Sequence, residues 1–152
     1  MSLRETFTAT LKDAMKAGDK PRVSTVRMIT AALKDRDIEA RGAGKGPIPD
    51  AEISSLLQKM IKQTQEALDI AEKAGRADLA EQARGEIAII RSFLPRQMDA
   101  QETRAAVAKA IAETGAAGVR DMGKVMSALR ERHAGSMDFG KASPLVKELL
   151  GG

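Results

Sequence analysis

Apolar residues recur along this chain at the three-to-four-residue interval of an α-helix nearly everywhere, and glycines and prolines cut the pattern into segments. Leu3, Phe7, Leu11 and Met15 form a first stripe that opens on "SLRE", with the spacing of a capping box, and stops at Gly18. A second helix is predicted from Pro21, a residue suited to a first turn, with Val23, Val26, Ile29 and Leu33 inward and its end near Gly42. The run "GAGKGPIP" reads as a loop. Asp50 is the expected N-cap of a third and longest helix, which turns Ile53, Leu57, Met60, Ala67, Ala71 and Ala74 inward and ends at Gly75. A fourth helix presents Leu79, Ala83, Ile87, Ile90 and Leu94 and is ended by Pro95.

"PRQM" then makes a short hinge. Asp99 and Glu102 repeat the capping-box spacing and open a fifth helix that carries Val107 and Ile111 and stops at Gly115. "GVRDMGKVMSALRERHAG", from Gly118 to Gly135, predicts a sixth helix with Val119, Met122, Val125, Met126 and Leu129 inward. "SPLVKELL" predicts a seventh, capped by Ser143 with Pro144 in its first turn. No stretch alternates long enough to be a strand. The expected fold is all-α, with an N-terminal four-helix bundle over residues 1–95 and a C-terminal three-helix bundle over 96–152.

Composition sharpens this picture in two ways. At 152 residues, 43% hydrophobic and 30% charged, the chain has the make-up of a folded globular protein. Only 2% of its residues are aromatic, all of them Phe, so the core must be built from Ala, Leu, Ile, Val and Met, which favours closely packed helices over a sandwich of strands. The absence of Cys excludes disulfides, thiolate metal sites and a cysteine nucleophile, and agrees with a reducing compartment. "MSLRETFTATLK" holds no apolar signal core and no stretch approaches a membrane span, so the expected location is the cytoplasm. The net charge of +4 is a mild excess spread evenly: 16 basic against 14 acidic residues up to residue 95, and nine against seven after it.

"AGRADLAEQARGEIAIIRSFLPRQMDAQETRAAVAKAIAETGA", followed by "VRDMGKVMSALRERHAG", resembles the GatB/YqeY family, together with "STVRMITAALKDRDIEAR" upstream and "PLVKELL" at the end. These are free-standing proteins similar to the C-terminal tail of the GatB subunit of the tRNA-dependent amidotransferase. The resemblance covers essentially the whole chain, and "DMGKVM" with "FLP.QM" carries most of its specificity. It implies a four-helix bundle joined to a three-helix bundle and an association with tRNA, the terminal helical portion contacting the tRNA body. The ammonia-producing, kinase and transamidation parts of the larger enzyme are not in this chain. The activity name the family inherits is carbon–nitrogen ligase with glutamine as amido-N-donor, which here implies at most an accessory part. Two positions depart from the family pattern, Thr64 after Lys62 and Gln63, and Ala83 where a Glu is frequent.

The candidate site lies where a glycine stands near a helix start. Arg120, Gly123 and Lys124 surround a helix N-terminus, whose N–H groups and positive dipole end suit a phosphate of an RNA backbone. The competing reading is a glycine that allows close helix packing, with Asp121 capping the first turn. Arg120, Lys124, Arg130, Arg132 and Lys141 could together position phosphates, or form an ordinary solvated face, since Asp121, Glu131 and Asp138 are interleaved with them. Phe139 is the only aromatic residue after Pro95, so unpaired bases have no stacking platform and the target would be the shape and backbone of folded RNA.

Catalysis finds little footing. His133 is the only histidine and stands near a helix end without a motif around it, and the carboxylates look like helix-surface ion-pair partners, as Asp69 with Lys73. No cluster has metal-ligand spacing, and neither metal nor cofactor is expected. Met28, Met60, Met98, Met122 and Met126 read as core filler, with an adaptable protein-binding surface as the alternative. The expected function is a non-catalytic tRNA-associated module that docks through Arg120, Gly123, Lys124, Arg132 and Lys141. The alternatives are an amidotransferase accessory and a protein-interaction scaffold that uses no nucleic acid.

Overall fold

The computed structural model describes residues 1–151, and all of its regular structure is helical: α1 (Leu3–Ala17), α2 (Lys20–Gly42), α3 (Asp50–Lys73), α4 (Ala77–Arg91), α5 (Ala100–Thr114), a 3₁₀ turn (Val119–Asp121), α6 (Met122–His133) and α7 (Phe139–Leu149). The all-α expectation holds, and no strand occurs among the described residues. Ala, Leu, Glu, Lys, Arg and Gln fill the helices, residues that lose little freedom there. The chain divides into two compact units, one from Met1 to Leu94 and one that begins at Pro95.

In the first unit α1 packs on α2, α3 on α4, and α2 on α4. Phe7, Val26, Ile29, Ile53, Leu57 and Ile90 are fully buried at its centre. Phe93 meets the edge of Phe7 with ring centroids 5.0 Å apart. A smaller cluster of Leu68, Ala71, Ala80, Ala83 and Ile87 seals α3 to α4, where alanines let the two backbones approach. In the second unit α5, α6 and α7 pack on one another around Val107, Val125, Leu129, Met137 and Val146.

Several boundaries are where the residues predict them. Ser2 accepts from the Glu5 N–H at the start of α1, and Gly18 takes the left-handed conformation that ends it. Asp99 and Glu102 form the reciprocal capping box of α5, and Gly115 closes that helix in the same left-handed way. Asp19 caps α2 and places Pro21 in its first turn.

Others are corrected. Asp50 does not cap α3: it is the first residue of that helix, and its carboxylate accepts from the Leu3 N–H at 3.2 Å, so it serves the start of α1. α4 stops at Arg91 rather than at Pro95, because Phe93 and Leu94 leave the helix to cover the core and a residue before proline disfavours helical torsions. α7 begins at Phe139, with Asp138 and not Ser143 as its cap, so Pro144 lies inside the helix. Leu79 is 44% exposed and Ala80 takes its inward place; on α3 the exposed Ala67 yields to Leu68, and Ala74, expected inward, is exposed just past the helix end. Met15 is 55% exposed, leaving Ala14 to face the core.

Of the methionines, Met60 and Met126 are core residues, Met98 and Met122 are partly buried against the second unit's core, and Met28 is exposed. The family departures are absorbed structurally. Thr64 donates its hydroxyl to the Met60 carbonyl at 2.8 Å, and Ala83 is buried between α3 and α4. Among the described residues no helix is long and apolar enough to cross a membrane.

Candidate nucleic-acid interface

The region before α6 is built by a carboxylate that points backwards. Asp121 accepts from the Ala117 N–H at 3.0 Å and so fastens the turn that precedes the helix. That bond holds its carboxyl below the usual range, against its partial desolvation, and the nearby charges of Lys124 and Arg120 act in the same direction. Asp121 therefore does not cap α6, and no side chain among the described residues does. The 3₁₀ turn uses the Met122 N–H on the Val119 carbonyl, and the N-terminal amides that follow have no side-chain acceptor among the described residues.

Gly123 lies on the exposed side of this first turn. A Cβ built there would meet nothing within 4 Å, so close packing does not explain the glycine. Arg120 and Lys124 are four residues apart and exposed, and neither forms an ion pair among the described residues. Arg120 precedes Asp121 in the chain and Lys124 follows it by three residues, and both charges favour its ionised form. Val119, expected inward, is 39% exposed beside them.

The remaining candidates are held elsewhere. Arg132, near the C-terminal end of α6, is paired with Glu113 of α5 at 2.6 Å. Arg130 lies over the Phe139 ring, 5.9 Å from its centroid. Lys141 is exposed in the first turn of α7, where its backbone N–H approaches the Asp138 carboxylate at 3.4 Å. The structure thus brings Arg120, Gly123 and Lys124 together at one helix start and sets Arg132 and Lys141 on other turns of the same unit. His133 ends α6, half-buried, and its carbonyl accepts from the Ser136 and Met137 N–H groups. No group of three His, Asp or Glu side chains able to hold a metal ion occurs among the described residues.

Sequence spacing missed the ion pairs that join separate helices. Arg4 grips Asp37 through two hydrogen bonds of 2.8 Å and also donates to the Ile48 carbonyl, while the Ile48 N–H donates to Asp37. This knot ties α1, α2 and the Gly/Pro loop together. The Arg4 guanidinium foremost, then the Ile48 N–H, hold the Asp37 carboxyl at about 2 in spite of desolvation. Arg84 with Glu72 and Arg104 with Glu148 are further cross-helix pairs. Asp69 accepts from Gln65 rather than pairing with Lys73.

The start of α6 sets two exposed cations beside uncapped backbone N–H groups and a glycine that faces open space, the chemistry an anion would need. Its one carboxylate is engaged in the preceding turn.

Among proteins similar to this chain, one from Pyrenophora tritici-repentis named "Altered inheritance of mitochondria protein 41, mitochondrial" is 26% identical over 148 residues, 94% of this chain and 78% of the relative. A protein of the same name from Lachancea thermotolerans is 32% identical over 84 residues, 55% of this chain and 43% of the relative. The one from Eremothecium gossypii is 29% identical over 84 residues and is likewise matched over less than half of its own length, 44%. A family model described as Yqey-like protein matches residues 4–150, nearly the entire chain, and the protein therefore belongs to the YqeY-like family.

Proposed function

We propose that this protein is a non-catalytic helical module that associates with folded tRNA. In this reading a three-helix bundle after Pro95 docks on the RNA backbone, and the first four helices form a bundle that mounts it. Arg120, Lys124 and the amides around Gly123 contact phosphates, with Lys141 and Arg132 as outer contacts, the latter after exchange of its Glu113 partner. The observation that carries the reading is the start of α6: among the described residues, two exposed cations without ion-pair partners flank a glycine that faces open space, and no side chain caps the helix. Shape and backbone recognition follows from the chain's chemistry, because the second unit's single aromatic ring, Phe139, lies beneath Arg130.

The cytoplasmic location expected from composition belongs to the same reading, and the mitochondrial label in the relatives' names is a statement about those proteins. No observation favours an amidotransferase accessory over a free-standing RNA-associated module. Titration of labelled tRNA against an unstructured RNA competitor tests the proposal. Saturable binding that prefers folded tRNA and weakens when Arg120 and Lys124 are reversed to Glu supports it; equal binding by the reversed variant removes the site.

A further inference from the structure

The corner between α1 and α2, in the first unit, carries an open groove of about 520 Å³ whose chemistry the RNA reading does not use. Met15 and Val23 supply apolar surface on its two sides, and Gly18 leaves the end between them uncrowded. Met15 is the side chain that the helical stripe predicts to be inward and that the structure turns outward. Lys20 and Arg27, both exposed, stand on the α2 wall with Val23 and Ser24 between them.

These four positions follow the i, i+3, i+4, i+7 spacing of one helix face, so the two cations are separated by two turns, about 10 Å along the axis. Among the described residues no carboxylate lines the groove. Asp19, the acid nearest in the connection, is taken by the Arg22 side chain and by the Arg22 N–H. Neither Lys20 nor Arg27 has an ion-pair partner among the described residues.

We infer that this groove is a docking site for an acidic amphipathic helix of a partner protein, one that carries two carboxylates two turns apart with a pair of aliphatic side chains between them. The carboxylates meet Lys20 and Arg27, and the aliphatic pair covers Met15 and Val23. Charge complementarity selects an anionic partner, since both charged side chains on the lining are cationic. The apolar component selects a peptide helix over RNA, because phosphates would satisfy the cations and leave Met15 without a partner. A groove between two helices accepts a third helix in this manner.

The probe is a labelled alanine-based peptide with two glutamates seven residues apart that bracket a leucine pair, titrated into the full chain by fluorescence anisotropy at low salt. Saturable binding is expected, weakened about tenfold or more by the double change Lys20→Glu and Arg27→Glu. A peptide with lysines in place of the glutamates should fail on the native chain and bind the reversed variant. Helical circular dichroism checks the fold, and the pair Lys20→Gln with Arg27→Gln replaces the reversal if that variant is misfolded. Absence of peptide binding overturns the inference, as does affinity that survives the loss of both cations. Binding of RNA or of phosphatidylserine vesicles that depends on Lys20 and Arg27, with no binding of the peptide, overturns it in favour of a phosphate-binding groove.

Discussion

Gly123 costs the helix stability without filling a packing need. A residue at this position in the first turn of α6, with no neighbour within 4 Å of an added Cβ, is expected to become more stable by about 0.5 kcal/mol when it is alanine. If phosphates approach the α6 amides, the same Gly123→Ala change weakens tRNA binding several-fold. Urea denaturation and an RNA titration on one variant separate the two effects, and a gain in stability with unchanged affinity would make the glycine incidental. Asp37 gives a second prediction at this scale. Its carboxyl is held at about 2, below the ordinary 3.8, so it stabilises the fold above about pH 4 and ceases to do so as pH falls toward 2. Asp37→Asn should cost about 2 kcal/mol at neutral pH, because Arg4 and the Ile48 N–H lose their charged acceptor. The gap between native and variant should close on acidification, measured by urea denaturation at a series of pH values.

At the scale of elements, the helices were readable because punctuation and periodicity agree. Ser2, Gly18, the Asp99–Glu102 box and Gly115 all do locally what their types favour. Local signatures mislead where a distant partner or a neighbouring rival cap takes the role. Asp50 has the type and position of an N-cap for α3, yet its carboxylate meets Leu3, 47 residues away. Ser143 with Pro144 has the signature of a helix start, but Asp138 caps first and the helix accepts one proline inside it. Removal of the cap should therefore discriminate: Asp138→Ala is expected to destabilise the second unit by about 1 kcal/mol, and Ser143→Ala by less than about 0.5 kcal/mol. The reverse order in a thermal or urea melt would put the start of α7 at Ser143. Alternation of Leu79 with Ala80, and of Ala67 with Leu68, shows a related limit, since neighbouring apolar residues let the stripe shift by one position and only packing across α3 and α4 selects the inner member.

Across the whole molecule, the helical class and the chain's family are legible in the sequence, and the candidate site is legible only in part. Arg120, Gly123 and Lys124 could be singled out because they are close in sequence and surround one helix start. That Asp121 turns back to Ala117, or that Arg132 is held by Glu113, depends on loop conformation and on the packing of α5 against α6, which no spacing encodes. The same holds for the Arg4–Asp37–Ile48 knot and for the groove at α1 and α2, one side of which is the outward-facing Met15. The direct test of tRNA docking through α6 is a binding series in rising salt, on the native chain and on the variant with both Arg120→Glu and Lys124→Glu. Docking on phosphates predicts a linear fall of log affinity with log salt, and a slope shallower by about two in the variant, roughly 0.9 for each phosphate that the native side chains neutralise. No tRNA binding at low salt, or an affinity and slope that survive the double reversal, would contradict it.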